Sequence, residues 1–292
     1  MNEGKVYRIG PTRENTSLTE LFLKLKGDET EKTVYIDEGT YDIYEEYRRA
    51  AIPTPPDDVK ISHYFKYNAF LPPNTSLIGL GRVELRFAPS PEEISYGESR
   101  TWAPLNIVGA CHVENIEIYC KNGRYCIHDD SHNEYKNTSH YYKNVRCTYE
   151  KGDIKDGKLL GLNNTIGNGM AQGCDFVFED CTFRFIGGNH SAFYTHEDGE
   201  TCPENSPTLT FRRCKFLGSE DNERVLRLQS LASADIRVIT RLESCYLLGG
   251  IYLTVYGEAS AQHFDVTLLG SGNPPKKIDR EENKYPIKVL ER

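Results

Sequence analysis

Two short triplets carry the residue types that move protons near neutral pH: His128-Asp129-Asp130 and His196-Glu197-Asp198, 68 residues apart. Imidazoles and carboxylates are the usual general acids and bases. Glycosidic hydrolysis places two carboxyl groups about 6.5–9.5 Å apart when it inverts and about 5–5.5 Å apart when it retains. Asp129 and Glu197 are the pair that could reach the inverting range, with His128 or His196 as acid or base and Asp130 beside them. Between the triplets runs Asn163-Asn164-Thr165-Ile166-Gly167-Asn168-Gly169, and Leu226-Arg227-Leu228-Gln229 follows. Asn164, Asn168, Asp198, Arg227 and Gln229 are therefore candidate binding residues. Arg227 could hold an acidic sugar or stabilise the enolate-like intermediate of an elimination. The same triplets are also good turn formers at strand ends, because Asp bonds its own backbone.

Elements of fixed spacing must position these groups. A short pattern recurs: Val113-Glu114-Asn115-Ile116-Glu117-Ile118, Tyr142-Lys143-Asn144-Val145-Arg146-Cys147, Phe178-Glu179-Asp180-Cys181-Thr182-Phe183, Phe211-Arg212-Arg213-Cys214-Lys215-Phe216 and Leu242-Glu243-Ser244-Cys245-Tyr246-Leu247. Its third position falls at 115, 144, 180, 213 and 244, steps of 29, 36, 33 and 31 residues. That period marks a repeat architecture, and the alternation inside each unit is that of a strand. Two adjacent polar residues predict a sharp bend within each unit. Stacking then puts Ile116, Val145, Cys181, Cys214 and Cys245 in one inward ladder and Ile118, Cys147, Phe183, Phe216 and Leu247 in another.

A second strand follows in most coils, over 125–128, 193–196, 225–229 and 251–255, with earlier coils over 33–36, 75–80 and 83–87 and a last partial one over 263–269. In the Leu226-Arg227-Leu228 strand the leucines face inward and Arg227 outward. By the same alternation His128, His196 and Arg227 are expected on one outer strip. Strands stack about 4.8 Å apart, so two coils separate groups by roughly 10 Å.

The chain reads as all-β, a single right-handed parallel β-helix over 1–272 with a short N-terminal capping α-helix over 17–26 and a polar C-terminal tail over 273–292. Ser17 and Glu20 form a capping-box pattern, and Leu18, Leu21, Phe22 and Leu25 line one helix face. Open ends of such a solenoid are edges that need covering. A long insert loop over 44–72 holds Tyr44, Tyr47, Arg48, Arg49, His63, Tyr64, Phe65 and Tyr67, with Pro53, Pro55 and Pro56. Its rings either pack on the solenoid wall or flank a sugar.

Composition narrows the partners. The formal charge is −8 with no run of five basic residues, which argues against nucleic acid. No apolar stretch is long enough for membrane insertion and none opens the chain as a signal peptide would, so synthesis in the cytoplasm is expected. The nine cysteines show no Cys-x-x-Cys spacing. They are expected to be reduced and buried, with no metal site and no cofactor.

Three stretches carry a resemblance to a known family: Val34-Tyr35-Ile36-Asp37-Glu38-Gly39-Thr40-Tyr41, Leu71-Pro72-Pro73-Asn74-Thr75-Ser76-Leu77-Ile78-Gly79-Leu80-Gly81, and the repeated bend units. Over residues 30 to 270 the chain resembles the pectin-lyase-like superfamily of right-handed parallel β-helices, in the single-domain form found in phages and prophages. The resemblance implies a carbohydrate-directed protein that works on a polysaccharide or other glycan, as a homotrimer associated with a virion. A depolymerase is one form of this, a glycoside hydrolase preferred to a polysaccharide lyase because carboxylates and histidines outnumber candidate Arg and Lys bases. The alternatives are a non-catalytic glycan-binding or structural module of a phage particle, or an intracellular interaction protein. The Gly-Asp-Asp, Gly-His-Gly and Arg-x-Lys motifs of polygalacturonase-like hydrolases are missing, so no catalytic set transfers whole.

Overall fold

The bend predicted from paired polar residues is what turns the chain. Asn115, Asn144, Asp180, Arg213 and Ser244 all adopt left-handed backbone, with φ from 49° to 58°. Short polar side chains tolerate that conformation best because they bond locally. Asn144 Nδ2 donates to Asn115 Oδ1 of the preceding coil at 2.8 Å. Arg213, a less suitable residue there, is held by bonds from its guanidinium to Glu179 and Asp180 of the coil before it.

The computed structural model describes residues 4–130, 133–188, 190–197, 205–218, 224–230, 238–255, 264–270, 278–280 and 287–290. In each regular coil the strands on either side of the bend join a 15-stranded wall sheet, and a third strand joins a seven-stranded sheet. Successive coils pair in parallel: in the wall, Ile118, Cys147, Phe183, Phe216 and Leu247 are in register. The fold is a right-handed parallel β-helix, the hand expected of parallel crossovers.

Both inward ladders read from the sequence are buried. Rings continue from coil to coil: Tyr142 stacks on Phe178 at 4.4 Å and Phe178 on Phe211 at 5.3 Å. Small thiols fill the space beside them at close-packed density. The eight cysteines among the described residues are buried thiols, none in a disulfide.

At the N-terminal end, helix α1 (Leu18–Lys24) starts where Ser17 Oγ accepts from Glu20 N, and Leu18, Leu21 and Phe22 join the coil's apolar cluster. The 44–72 insert opens with helix α2 (Ile43–Arg49) and contains a 3-10 turn over Ile61–Lys66. Two short strands lie within the stretch read as a tail: Ile278–Arg280 pairs with Gly250–Val255, and Ile287–Leu290 with Phe264–Leu269. The repeat thus runs past residue 272, hidden in the sequence by the charges around few apolar residues. Among the described residues no helix is long and apolar enough to cross a membrane.

Candidate functional site

Register in the seven-stranded sheet is set by its inward residues. Ile127, Ile166, Phe193, Leu226 and Ile251 are aligned from coil to coil, and all are buried. His128 therefore stands in line with Gly167, Tyr194, Arg227 and Tyr252, and Asp130 with Gly169, His196 and Gln229. The two triplets are not equivalent, as their spelling suggests; they are offset by two residues along the strand. An offset of two keeps the facing, because side chains alternate with period two. His128, Asp130, Tyr194 and His196 consequently line one groove.

The strand between them, Ile166–Met170, has only glycine at its outward positions. A Cβ at Gly169 would lie 2.1 Å from Asp130 Oδ1 and 3.2 Å from His196 Cε1. A Cβ at Gly167 would lie 2.2 Å from the Tyr125 ring. The bare strand is what lets the carboxylate of one coil and the imidazole of the second coil after it converge over a single residue. On the same strand as Asp130, His128 Nε2 lies 3.5 Å from Asp130 Oδ2.

The insert and helix α3 (Tyr96–Thr101) wall the other side. Groove volume is about 640 Å³, and Asp57, Asp58, Lys60 and Tyr64 of the insert line it together with Tyr96, Arg100, Arg124 and Tyr125. These parts are pinned. Ser95 and Glu98 form a full capping box at the start of α3. Thr54 Oγ1 donates to Glu98 Oε1 at 2.9 Å, and Gly97 N to Asp57 Oδ1 at 2.9 Å. A side chain at residue 97 would collide with the carbonyls of Pro55 and Pro56, so glycine permits this docking. Tyr64 Oη donates to Asn106 Oδ1, while Asn106 Nδ2 donates to Tyr47 Oη at 2.9 Å.

Aromatic rings frame the histidine. Tyr64 meets His128 edge-on at 4.6 Å and Tyr125 stacks on it at 5.5 Å. The Arg124 guanidinium lies over both Tyr64 and Tyr125. Burial pushes the Tyr64 and Tyr125 hydroxyls above their ordinary range, so both stay protonated donors.

Several expected site residues lie elsewhere. Asp129 is 1% exposed and points into the coil, where its Oδ2 faces His140 Nδ1 at 2.9 Å and accepts from Tyr142 Oη. It sits between two outward residues, so alternation removes it from the groove and from the expected catalytic pair. Asn168, between Gly167 and Gly169, is turned inward for the same reason and accepts from Thr195 Oγ1 at 2.8 Å. Asn164 serves a turn: its Oδ1 accepts from Ser191 N and its Nδ2 donates to Leu162 O. Arg227 and Gln229 bond to each other at 2.9 Å on the next coil, with the Arg227 guanidinium 5.0 Å from the Tyr194 ring centre. Glu197 ends its strand; its side chain, Asp198, and the side chain of His63 lie outside the described residues.

Sequence reasoning missed Tyr96, Arg100, Arg124, Tyr125 and Tyr194 as groove residues. The available signal was Gly167-x-Gly169, since alternate glycines in a strand mark a close approach over its face.

No family model matches this chain, and no curated protein matches it in sequence. Among the solved structures similar to it are two of pectin methylesterase from Aspergillus niger. The deglycosylated form is 9% identical, covering 99% of this chain and 86% of that one, with a TM-score of 0.37. The penultimately deglycosylated form is also 9% identical, covering 100% and 87%, with the same TM-score. At that level of likeness nothing about chemistry passes from those proteins to this chain.

Proposed function

We propose that the groove binds a glycan and that Asp130, with His196 and His128, hydrolyses a glycosidic bond in it. The convergence of Asp130 and His196 over Gly169, inside a groove with tyrosines on both sides, carries this reading. Half-buried Tyr96 and Tyr194 offer rings with an apolar face and a polar edge, which suits a sugar. The volume of about 640 Å³ lies within the range of small-ligand sites and accommodates a few sugar units. In the proposed step a protonated imidazole donates to the leaving oxygen while Asp130 takes a proton from the attacking water. Asp58, on the insert across the groove, is a second carboxylate for an inverting arrangement.

A binding-only reading is favoured by one observation. The inward turn of Asp129 takes away one of the two carboxylates expected on that strand, and the remaining one faces His128. Incubating the protein with a panel of neutral and acidic bacterial polysaccharides separates these readings. New reducing ends support hydrolysis, and ultraviolet absorbance of an unsaturated uronate replaces it with elimination. Retention on a glycan array without fragmentation leaves the adhesin. Failure of all three readouts discards the glycan reading. The phage-particle assignment further expects a trimer by light scattering.

A further inference from the structure

Beneath the groove, on the inner side of the same strands, the coil interior departs from its apolar rule. The inward column of the seven-stranded sheet reads Ile107, Asp129, Asn168, Thr195, Leu228 and Leu253. Apolar residues stand at both ends and polar ones across the three middle coils. Facing Asp129 from the wall sheet are Cys111, His140 and Tyr142. Cys111 Sγ, one carboxylate oxygen of Asp129 and one ring nitrogen of His140 lie within 4.8 Å of one another, and all three residues are buried. The proposed hydrolysis uses none of them.

The protons in this cluster can be counted. Thr138 Oγ1 donates to Tyr135 O at 2.8 Å and lies 3.0 Å from His140 Nε2. With its own hydrogen on Tyr135 O, that oxygen accepts from Nε2 in the tautomer that bears its proton there. In a neutral imidazole His140 Nδ1 then presents a lone pair, and it presents it to Asp129 Oδ2 at 2.9 Å. Two lone pairs do not meet at that distance without a positive charge between them. Cys111 Sγ addresses the same nitrogen from 3.7 Å and lies 3.7 Å from Tyr142 Oη. Because thiol and carboxylate meet on one nitrogen and not on opposite ones, the three are not a nucleophile relay. Asp129 Oδ1 is buried with no hydrogen-bond partner among the described residues, a costly state for a carboxylate oxygen.

We propose that Cys111, Asp129 and His140 bind a structural zinc ion inside the coil, with the Tyr142 hydroxyl beside them. Thiolate, imidazole and carboxylate are the donor set of zinc. Thiolate and carboxylate together neutralise a divalent cation, which keeps the buried charge at zero. Zinc bonds of about 2.3 Å to sulfur and about 2.0–2.1 Å to nitrogen put those atoms about 3.6 Å apart in a tetrahedron. The observed separation is 3.7 Å. The carboxylate must move out from His140 by about half an ångström to make the matching edge. Thr138 then performs the task of an outer partner, fixing the ring through Nε2. The ion would tie the strand Ile127–Asp130, which presents His128 and Asp130 to the groove, to the wall strands Cys111–Glu114 and Ser139–Lys143. Spacing could not reveal such a site, since its ligands come from three separate strands.

The test refolds the full chain under reducing conditions, once with a chelator and once with zinc or cobalt(II). Expected are about one zinc per chain retained through desalting and a Tm about 5–10 °C above that of the chelator-refolded protein. The cobalt form should show a thiolate-to-cobalt charge-transfer band. Cys111→Ser should lose the band, and Cys174→Ser, whose sulfur lies behind Thr138, should keep it. Wild-type protein that refolds to the same Tm in chelator and in zinc, with no retained metal and no band, overturns the proposal and leaves a proton between His140 and Asp129. That result leaves the glycan reading of the groove untouched.

Discussion

The wall sheet and the seven-stranded sheet are built by the same coils and obey different rules. In the wall, the inward ladders beside the bend stay apolar, with Phe183 packed against Phe178, Phe211 and Phe216, and the bend column holds one backbone conformation from Asn115 to Ser244. In the seven-stranded sheet that uniformity fails on both faces at once. Outward, Gly167 and Gly169 interrupt columns that otherwise hold His128, Tyr194, Arg227, Asp130 and His196. Inward, Asp129, Asn168 and Thr195 displace the aliphatic residues of the flanking coils. A solenoid is stabilised by like stacked on like, so each departure removes packing that its neighbours would have supplied. Departures gathered on adjacent strands mark the part of the molecule shaped by something besides stability.

The contrast implies that substitutions in the two regions fail differently. Asp130→Asn should cut glycan cleavage by about 10²–10⁴-fold, the usual worth of an acid–base group. Its Tm should stay within about 2 °C of wild type, and a large loss of Tm would mean that the groove column is structural after all. Phe183→Ala should do the reverse. Removing a ring in contact with Phe178, Phe193, Phe211 and Phe216 costs about 3–5 kcal/mol, seen as a Tm lowered on the order of 10 °C, with groove binding intact at low temperature.

Gly169→Ala probes the floor itself. The added methyl occupies the space of Asp130 Oδ1, so glycan affinity measured by calorimetry should fall about tenfold or more, about 1.4 kcal/mol. Unchanged affinity would remove Asp130 from the site.

The smallest effect concerns Glu46, which anchors the start of the insert by accepting from Ser17 Oγ at 2.8 Å and Thr19 N at 2.9 Å. Burial raises its carboxyl above the ordinary glutamate range, against those hydrogen bonds. A raised folded-state value favours the protonated form, so this group's contribution to stability is complete below about pH 4.3 and is lost as pH rises through the raised value. Glu46→Gln should therefore match wild type near pH 4 and exceed it by about 1–3 °C in Tm at pH 7.5. Equal pH profiles for the two proteins would show that the buried carboxylate costs the fold nothing.

Much of the wall was legible in the residues alone. A bend needs a residue that tolerates left-handed backbone and a neighbour that can be buried, and both requirements act within six residues of chain. That locality is why the ladders through Cys181 and Phe183 follow from the residues alone, and why His128 and His196 share one facing. Alternation reaches further: applied to His128-Asp129-Asp130 it also sends Asp129 inward, as the structure has it.

The groove required the fold. Its floor depends on how many residues separate one coil from the next, and the loops between coils vary, so matching the triplets by their histidines missed the register by two residues. The insert's place over the floor rests on contacts between residues tens of positions apart, such as Tyr64 with Asn106 and Thr54 with Glu98. So does the meeting of Cys111, Asp129 and His140 inside the coil. Short-range patterns declare which way a side chain faces; which side chains then meet is settled by coil length and long-range packing, and no local pattern encodes those.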